Sequence, residues 1–241
     1  MNILGIDTAT RILTVGLCRC GRIIAERSEV TAGGPAGALS RIAGAVLGDA
    51  GLSVRDLGGV AVSLGPGSFT GLRVGVSFAK GLAYAAGFPI VGVPTLPALA
   101  SAAEVEEEVV ATCLDARRGE VYLALYDRRT GSPVETVSPI ALDPDAAGRR
   151  ILEESNRGRM AVVGDAAERY PASFRALAES GVRLVSLKES PPRGGVIACR
   201  AETRIRAGER PDPASVLPLY VRPPLARPPT PTTSLTREKP V

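Results

Sequence analysis

The 241-residue sequence contains no histidine, no tryptophan and only 4% aromatic residues. Without histidine, Ser-His-Asp and Cys-His catalysis and the helical H-E-x-x-H metal site are excluded. The scarcity of aromatics leaves no stacking platform for a single-stranded nucleic acid. Its 29 basic residues are scattered rather than gathered in a block, which argues against tight nucleic-acid binding by this chain alone. Cysteine is sparse too: Cys18, Cys20, Cys113 and Cys199 form no C-x-x-C pair and no zinc spacing. With Cys18 and Cys20 on one face of an expected strand, the reading is reduced, buried thiols and no metal. No apolar run approaches the ~18 residues of a membrane span. The opening Met1-Asn-Ile-Leu-Gly5 reads as a strand rather than a signal peptide, so a cytoplasmic chain without a membrane segment is expected.

What is present is ordinary globular material, 45% hydrophobic and 22% charged with a net charge of +4. The length suits one large domain or two small ones. The most informative stretch runs from Val62 to Tyr84. A buried strand, 60–64, turns on Gly65-Pro-Gly67, and Ser68 or Thr70 can cap a helix that runs to about Ala86, with Gly87 as its stop. Along that helix Val74, Phe78 and Leu82 form a large apolar stripe beside a small one of Gly71, Gly75, Ala79 and Ala86. Leu72, Val76 and Ala83 widen the apolar arc well beyond the ~100° that one core requires. Interior glycines cost about 1 kcal/mol each relative to alanine, so they call for a reason. Either the helix is sandwiched within its own domain, or it packs on its sheet with one face and on a foreign helix with the other.

In chain order, 2–7, 11–18 and 22–28 read as three strands joined by tight connections. A helix over 36–50 follows, with Leu39, Ile42, Ala43, Val46 and Leu47 on one side and Gly37, Ala38, Gly44 and Ala45 on the other. After the central strand and helix comes a strand at 90–93, with a break at Pro94 and Pro97. The second half repeats the order. Strands at 109–115, 120–126 and 134–142 precede a helix over 144–156, a strand at 160–163, a helix over 166–180 and a strand at 182–185. A last helix spans 194–207. Both halves carry an acid at the end of their first strand, Asp7 and Asp115, although their sequences share almost no identity. The expected division is a first lobe over 1–100, a second over 101–222 and a disordered Pro-rich tail over 223–241.

Duplicated strand-strand-strand-helix-strand-helix units, each with a strand-one acid, resemble the two-lobed α/β actin-like, ribonuclease H-like (ASKHA) superfold. Three motifs narrow this: Ile3-Leu-Gly-Ile-Asp-Thr-Ala-Thr10, Leu64-Gly-Pro-Gly-Ser-Phe-Thr-Gly-Leu-Arg-Val-Gly75 and Leu114-Asp-Ala-Arg-Arg-Gly-Glu-Val-Tyr122. With Leu217-Pro-Leu-Tyr-Val-Arg222, they closely resemble the TsaB (YeaZ) family over about residues 1 to 226. The resemblance implies a non-catalytic accessory subunit for making threonylcarbamoyladenosine on tRNA. It further implies the paralogous enzyme TsaD as partner, a TsaE-like ATPase in a larger complex and tRNA contacted through that complex; in the partner's absence the first two helices could pair with a second copy. One departure is Gly33-Gly-Pro-Ala-Gly37, where relatives commonly carry His-Ser.

The residues expected to bind the partner are Leu39, Ile42, Ala43 and Val46 on the first helix, with Gly71, Leu72, Gly75, Ala79 and Ala83 on the second. Small residues three or four apart share a face and let two backbones approach. Asp7, Thr8, Thr10 and Asp115 are weaker candidates for nucleotide contact, each also explained as a turn residue. Arg117 and Arg118 crowd the second acid's turn, where a phosphate loop needs small residues. No cofactor is expected. The competing class is an ATP-dependent phosphotransferase or ATPase of the same superfold. A peptidase would find no recognisable dyad or metal site.

Overall fold

Strand β1 (Asn2–Asp7) lies between β2 (Ile12–Arg19) and, further along the chain, β4 (Gly59–Gly65). In the computed structural model, which describes residues 1–221, β2 pairs antiparallel with both β1 and β3 (Arg22–Val30). The parallel neighbours β4 and β5 (Ile90–Pro94) complete a sheet in the order β3-β2-β1-β4-β5. Leu4, Ile6, Val15 and Val62 point to one face, where α1 (Ala36–Asp49) and α2 (Phe69–Ala86) close the core. Ser68 caps α2 by accepting from the Gly71 amide at 3.2 Å, and Gly87, at φ 72°, ends it.

The second unit repeats this plan. Strands β6 (Val109–Arg117), β7 (Glu120–Asp127), β8 (Val134–Leu142), β9 (Met160–Val163) and β10 (Arg183–Val185) take the order β10-β9-β6-β7-β8. Read from each unit's first strand, the two orders are the same, which gives the two-lobed actin-like α/β fold. Here α4 (Pro144–Glu154) and α6 (Pro171–Glu179) cover one face through Ile151, Phe174 and Leu177.

Several expectations are corrected. Pro94 and Pro97 do not break the chain but open a helix, α3 (Thr95–Ala102). Pro97 falls in the first turn, where a backbone N–H would have no helical acceptor. The helix expected over 166–180 is two, α5 (Ala166–Arg169) and α6, because Pro171 holds Tyr170 out of helical geometry at φ −127° and ψ 58°. The boundary near residue 100 does not hold for the end of the chain. Helix α7 (Gly194–Arg206) packs on the first sheet, beneath Ile3, Ala61 and Val91. Its approach is so close that a Cβ on Gly5 or Gly16 would collide with the backbone of Gly194 or Gly195. Residues beyond α7 also return to the first lobe, where the Leu219 amide donates to the Leu64 carbonyl at 2.7 Å.

The cysteines depart from four reduced thiols. Cys18 on β2 and Cys199 on α7 form a disulfide with their Cα atoms 5.4 Å apart. Cys113 is free and buried, and Cys20 is free and exposed in the β2–β3 turn rather than on the strand. The expected tail over 223–241 lies outside the described residues. No helix among the described residues is long and apolar enough to cross a membrane.

Candidate functional site: the interlobe cleft and the outer helix pair

The end of β1 brings Asp7 into a buried, uncharged setting. Its Oδ1 accepts from the Ala9 amide at 2.7 Å and the Ser63 hydroxyl at 3.2 Å. Burial nevertheless dominates and pushes its carboxyl from the usual 3.8 up to about 6. The Thr8 amide donates to Ser63 Oγ at 3.3 Å, while Thr8 Oγ1 is buried without a partner. Thr10 serves its own turn, its hydroxyl accepting from the Ile12 amide and donating to the Ile12 carbonyl.

Asp115 ends the equivalent segment of the second lobe but sits in different surroundings. Its Oδ1 accepts from the Arg117 amide at 2.9 Å and the Tyr170 hydroxyl at 3.1 Å, and its Oδ2 lies 3.3 Å from the Arg117 guanidinium. The Asp115 amide donates to Asp165 Oδ1 at 2.9 Å. Burial raises the Asp165 carboxyl above its usual range. Arg117 and Arg118 both adopt positive φ, 63° and 58°, at the hairpin tip. Across the mouth, Arg11 of the first lobe pairs with Glu168 of the second at 2.8 Å.

Most polar groups of these turns are engaged within the chain. Asp115 is engaged by Arg117 and Tyr170. Two amides of the Gly65–Ser68 turn are also committed: Gly65 donates to Thr95 Oγ1 at 3.0 Å and Ser68 to the Ala9 carbonyl at 2.7 Å. A Cβ at Gly67 would strike that same carbonyl. The turn is a fitted structural joint between β4 and the Asp7 loop. Among the described residues, no group of three or more His, Cys, Asp or Glu side chains could hold a metal ion.

The nine residues expected at a partner interface are all in the chain's own interior. Leu39, Ile42, Ala43, Val46, Gly71, Leu72, Gly75, Ala79 and Ala83 are buried. Gly71 and Gly75 are small because Thr8 packs against them: a Cβ at Gly71 would meet the Thr8 carbonyl, and one at Gly75 the Thr8 hydroxyl. Interior demand, not a foreign helix, explains the stripe. What α1 and α2 turn outward is different. On α1 it is Gly37, Ser40, Arg41, Gly44 and Gly48; on α2 it is Arg73, Ser77, Gly81 and Tyr84, the last 92% exposed. Val74, Phe78 and Leu82, the large stripe, are only half-buried at the edge of the core.

Sequence reasoning missed the strap formed by the residues after α7. Tyr220 lies 5.5 Å from the Phe69 ring and accepts from Arg73 Nε at 3.2 Å, while the Arg73 guanidinium sits 3.8 Å over Phe69. The alternating apolar residues of Leu217-Pro-Leu-Tyr-Val221 were the available signal.

Comparison with known proteins agrees with this architecture. A family model described as TsaD, tRNA N6-adenosine threonylcarbamoyltransferase, matches residues 36–147. The tRNA threonylcarbamoyladenosine biosynthesis protein TsaB of Escherichia coli is 33% identical over 88% of this chain and 93% of that protein. Its namesake from Bacillus subtilis is 35% identical, over 54% of this chain and 57% of that protein. The solved structure of YeaZ from Pseudomonas aeruginosa superposes with a TM-score of 0.72 at 26% identity, covering 91% of this chain and 99% of that one. Near-full-length identity above 30%, on a matching two-lobed fold, means that the chain belongs to the TsaB (YeaZ) family.

Proposed function

We propose that this chain acts in the formation of N6-threonylcarbamoyladenosine on tRNA, as a non-catalytic subunit that binds and organises a paralogous TsaD enzyme in the cytoplasm. The observation that carries the reading is the outer surface of α1 and α2. Gly37, Gly44 and Gly48 leave room for a foreign helix, since a Cβ at any of them would meet nothing within 4 Å. Half-buried Val74, Phe78 and Leu82 on the neighbouring helix supply apolar area for it. The engaged state of Asp115 and the committed amides of Gly65 and Ser68 favour this role over phosphoryl transfer. A TsaE-like ATPase and tRNA would then be met through the assembled complex. In the partner's absence the same surface could pair with a second copy in an isologous dimer.

The test is co-purification with TsaD, followed by tRNA modification with and without this chain. Gly44→Arg should melt like the wild type yet lose partner affinity by ~100-fold or more, since a desolvated unpaired charge costs ~3–5 kcal/mol and each ~1.4 kcal/mol is tenfold. Normal binding by Gly44→Arg would move the interface elsewhere. Magnesium-dependent ATP turnover by the isolated chain, abolished in Asp7→Ala, would favour the phosphotransferase reading instead.

A further inference from the structure

Three of the four cysteines gather where the β2–β3 hairpin meets the second half of α7. Cys18 on β2 is linked to Cys199 on α7, and Cys20 sits two residues on, in the hairpin turn. Glu202, 2% exposed, ties the group together. Its carboxylate accepts from the Cys20 amide at 3.1 Å, the Gly21 amide at 2.7 Å and Arg206 Nε at 3.0 Å. Its Oε2 also lies 3.4 Å from Cys18 Sγ, and Arg206 Nη2 donates to Cys20 Sγ at 3.6 Å. Cys199, Glu202 and Arg206 are spaced three and four apart and share one face of α7. The sulfurs of Cys18 and Cys20 therefore both face that side of the helix.

The three differ in access. Cys18 is fully buried, Cys199 is half-buried, and Cys20 is exposed and free. A disulfide is made or broken by a thiolate attacking a sulfur atom, so access decides which sulfur meets solution first. Two residues of chain span at most ~7 Å, and bridged cysteines have Cα atoms up to about 6.8 Å apart, which puts Cys18 within bonding reach of Cys20. The Cα atoms of Cys18 and Cys199 are 5.4 Å apart. Cys18 is thus adjacent to both other sulfurs, and in the reduced chain Glu202 Oε2 is the acceptor for its thiol proton.

We propose that Cys20 is the modification site through which low-molecular-weight disulfides and thiols make and break the buried Cys18–Cys199 link. In the oxidising direction the Cys20 thiolate, its proton lost to water, attacks a disulfide R–S–S–R. A Cys20–S–R bond forms, the R–S–S–R bond breaks and R–S⁻ leaves. Cys18 gives its proton to Glu202, attacks Cys20 Sγ and expels the second R–S⁻. Cys199, its proton lost to water, then attacks Cys18 Sγ, which forms the Cys18–Cys199 link and returns Cys20 as a thiolate. Two protein thiols are oxidised, R–S–S–R is reduced to two R–SH, and no other oxidant enters. Excess R–SH runs the same steps backwards. The sulfur cluster alone carries this site, which is independent of the assembly role.

Re-oxidation of the reduced full chain by glutathione disulfide tests this, at a temperature where the reduced chain stays folded by circular dichroism. Free thiols are alkylated at intervals and mapped by mass spectrometry. Glutathione is expected on Cys20 first, followed by the Cys18–Cys199 link. Cys20→Ser, at an exposed turn position, should melt like the wild type once oxidised and form the link at least tenfold more slowly. In Cys18→Ser, glutathione should remain on Cys20; Cys199→Ser should stop one step later, with Cys18 joined to Cys20. Link formation by Cys20→Ser at the wild-type rate would overturn the proposal. So would glutathione on Cys199 with Cys20 unmodified in Cys18→Ser, or a wild type that takes up no glutathione and forms no link. Should Cys20→Ser melt lower, the order of modification in the wild type decides.

Discussion

Two turns at the ends of equivalent strands occupy the same place in the same topology and are chemically opposite. Asp7 is buried among Ser63, Thr8 and backbone amides, with its carboxyl raised by burial to about 6. Asp115, its side chain 8% exposed, lies under Tyr170 and the exposed Arg117. The first turn is built inward: Thr8 and Ala9 fill against Gly67, Gly71 and Gly75, and the acid is held inside. The second is built outward, on a hairpin tip of arginines at positive φ. The two lobes share one sheet order while their turns differ, so the two strand-end acids are not equivalent in their surroundings.

The largest effect that would break this comparison lies in the first lobe. Gly75→Arg drives a charged side chain into Thr8 and should leave little folded protein, because an unpaired buried charge costs ~3–5 kcal/mol. Gly44→Arg, on the outward side of α1, is the control and should show an unchanged thermal melt. A Gly75→Arg protein that melts normally would show that α2 can lift away from the Asp7 turn. Next in size is the Cys18–Cys199 link, which closes a loop spanning 181 residues between the first sheet and the helix that returns to it. Reduction should lower stability by about 2–4 kcal/mol. The measurement is a melt with and without dithiothreitol, and Cys199→Ser should be insensitive to the reductant. An equal response in that variant would mean that the reductant acts elsewhere.

The third effect belongs to Asp7 and carries a definite sign. Its folded-state pKa is raised, so the fold favours the protonated acid. That contribution is fully present below the unfolded value of 3.8 and is lost as pH rises through about 6. At ~1.4 kcal/mol per pKa unit, the ionised group destabilises the fold by up to ~3 kcal/mol above that range. Asp7→Asn should therefore melt higher than wild type at pH 8, with the difference shrinking toward pH 4. A pH-independent difference would place Asp7 in a more polar setting than its burial indicates.

Much of the fold was legible because strand and helix periods are local properties. The ten strands, a cap at Ser68 or Thr70 and the Gly87 stop follow from alternation and from glycine and hydroxyl chemistry, and the structure selects Ser68. Pro94 and Pro97 misled because a proline near a helix start looks the same in sequence as one that ends a segment. The direction of the small stripe on α2 was not legible at all. Periodicity says that Gly71, Gly75 and Ala79 share a face, but only the position of Thr8 decides that the face turns inward. The Cys18–Cys199 link was hidden for a similar reason, since a contact between residues 181 apart leaves no local trace. The two acids were found from their strand-end positions, yet their different surroundings come from Ser63, Tyr170 and Asp165, which are remote in sequence.

The smallest effect sharpens the contrast from the second lobe. Asp115 holds a hairpin tip whose arginine partner is 80% exposed, so solvent screens the pair. Asp115→Asn should change stability by less than about 1 kcal/mol, the scale of an exposed ion pair. Its Oδ1 contacts with the Arg117 amide and the Tyr170 hydroxyl can persist with an amide oxygen in that place. Asp115→Ala removes those as well and should loosen the 117–119 tip, seen as faster amide exchange there with the β6–β7 ladder unchanged. The comparison would fail if Asp115→Asn lost several kcal/mol, because Asp115 would then be as integral to its lobe as the Asp7 turn is to the first. A small loss instead means that the second turn is free to vary while the first is fixed by packing. In that case the strand-end acid of the second lobe persists as a local clamp on its own arginine rather than as one side of a reacting pair.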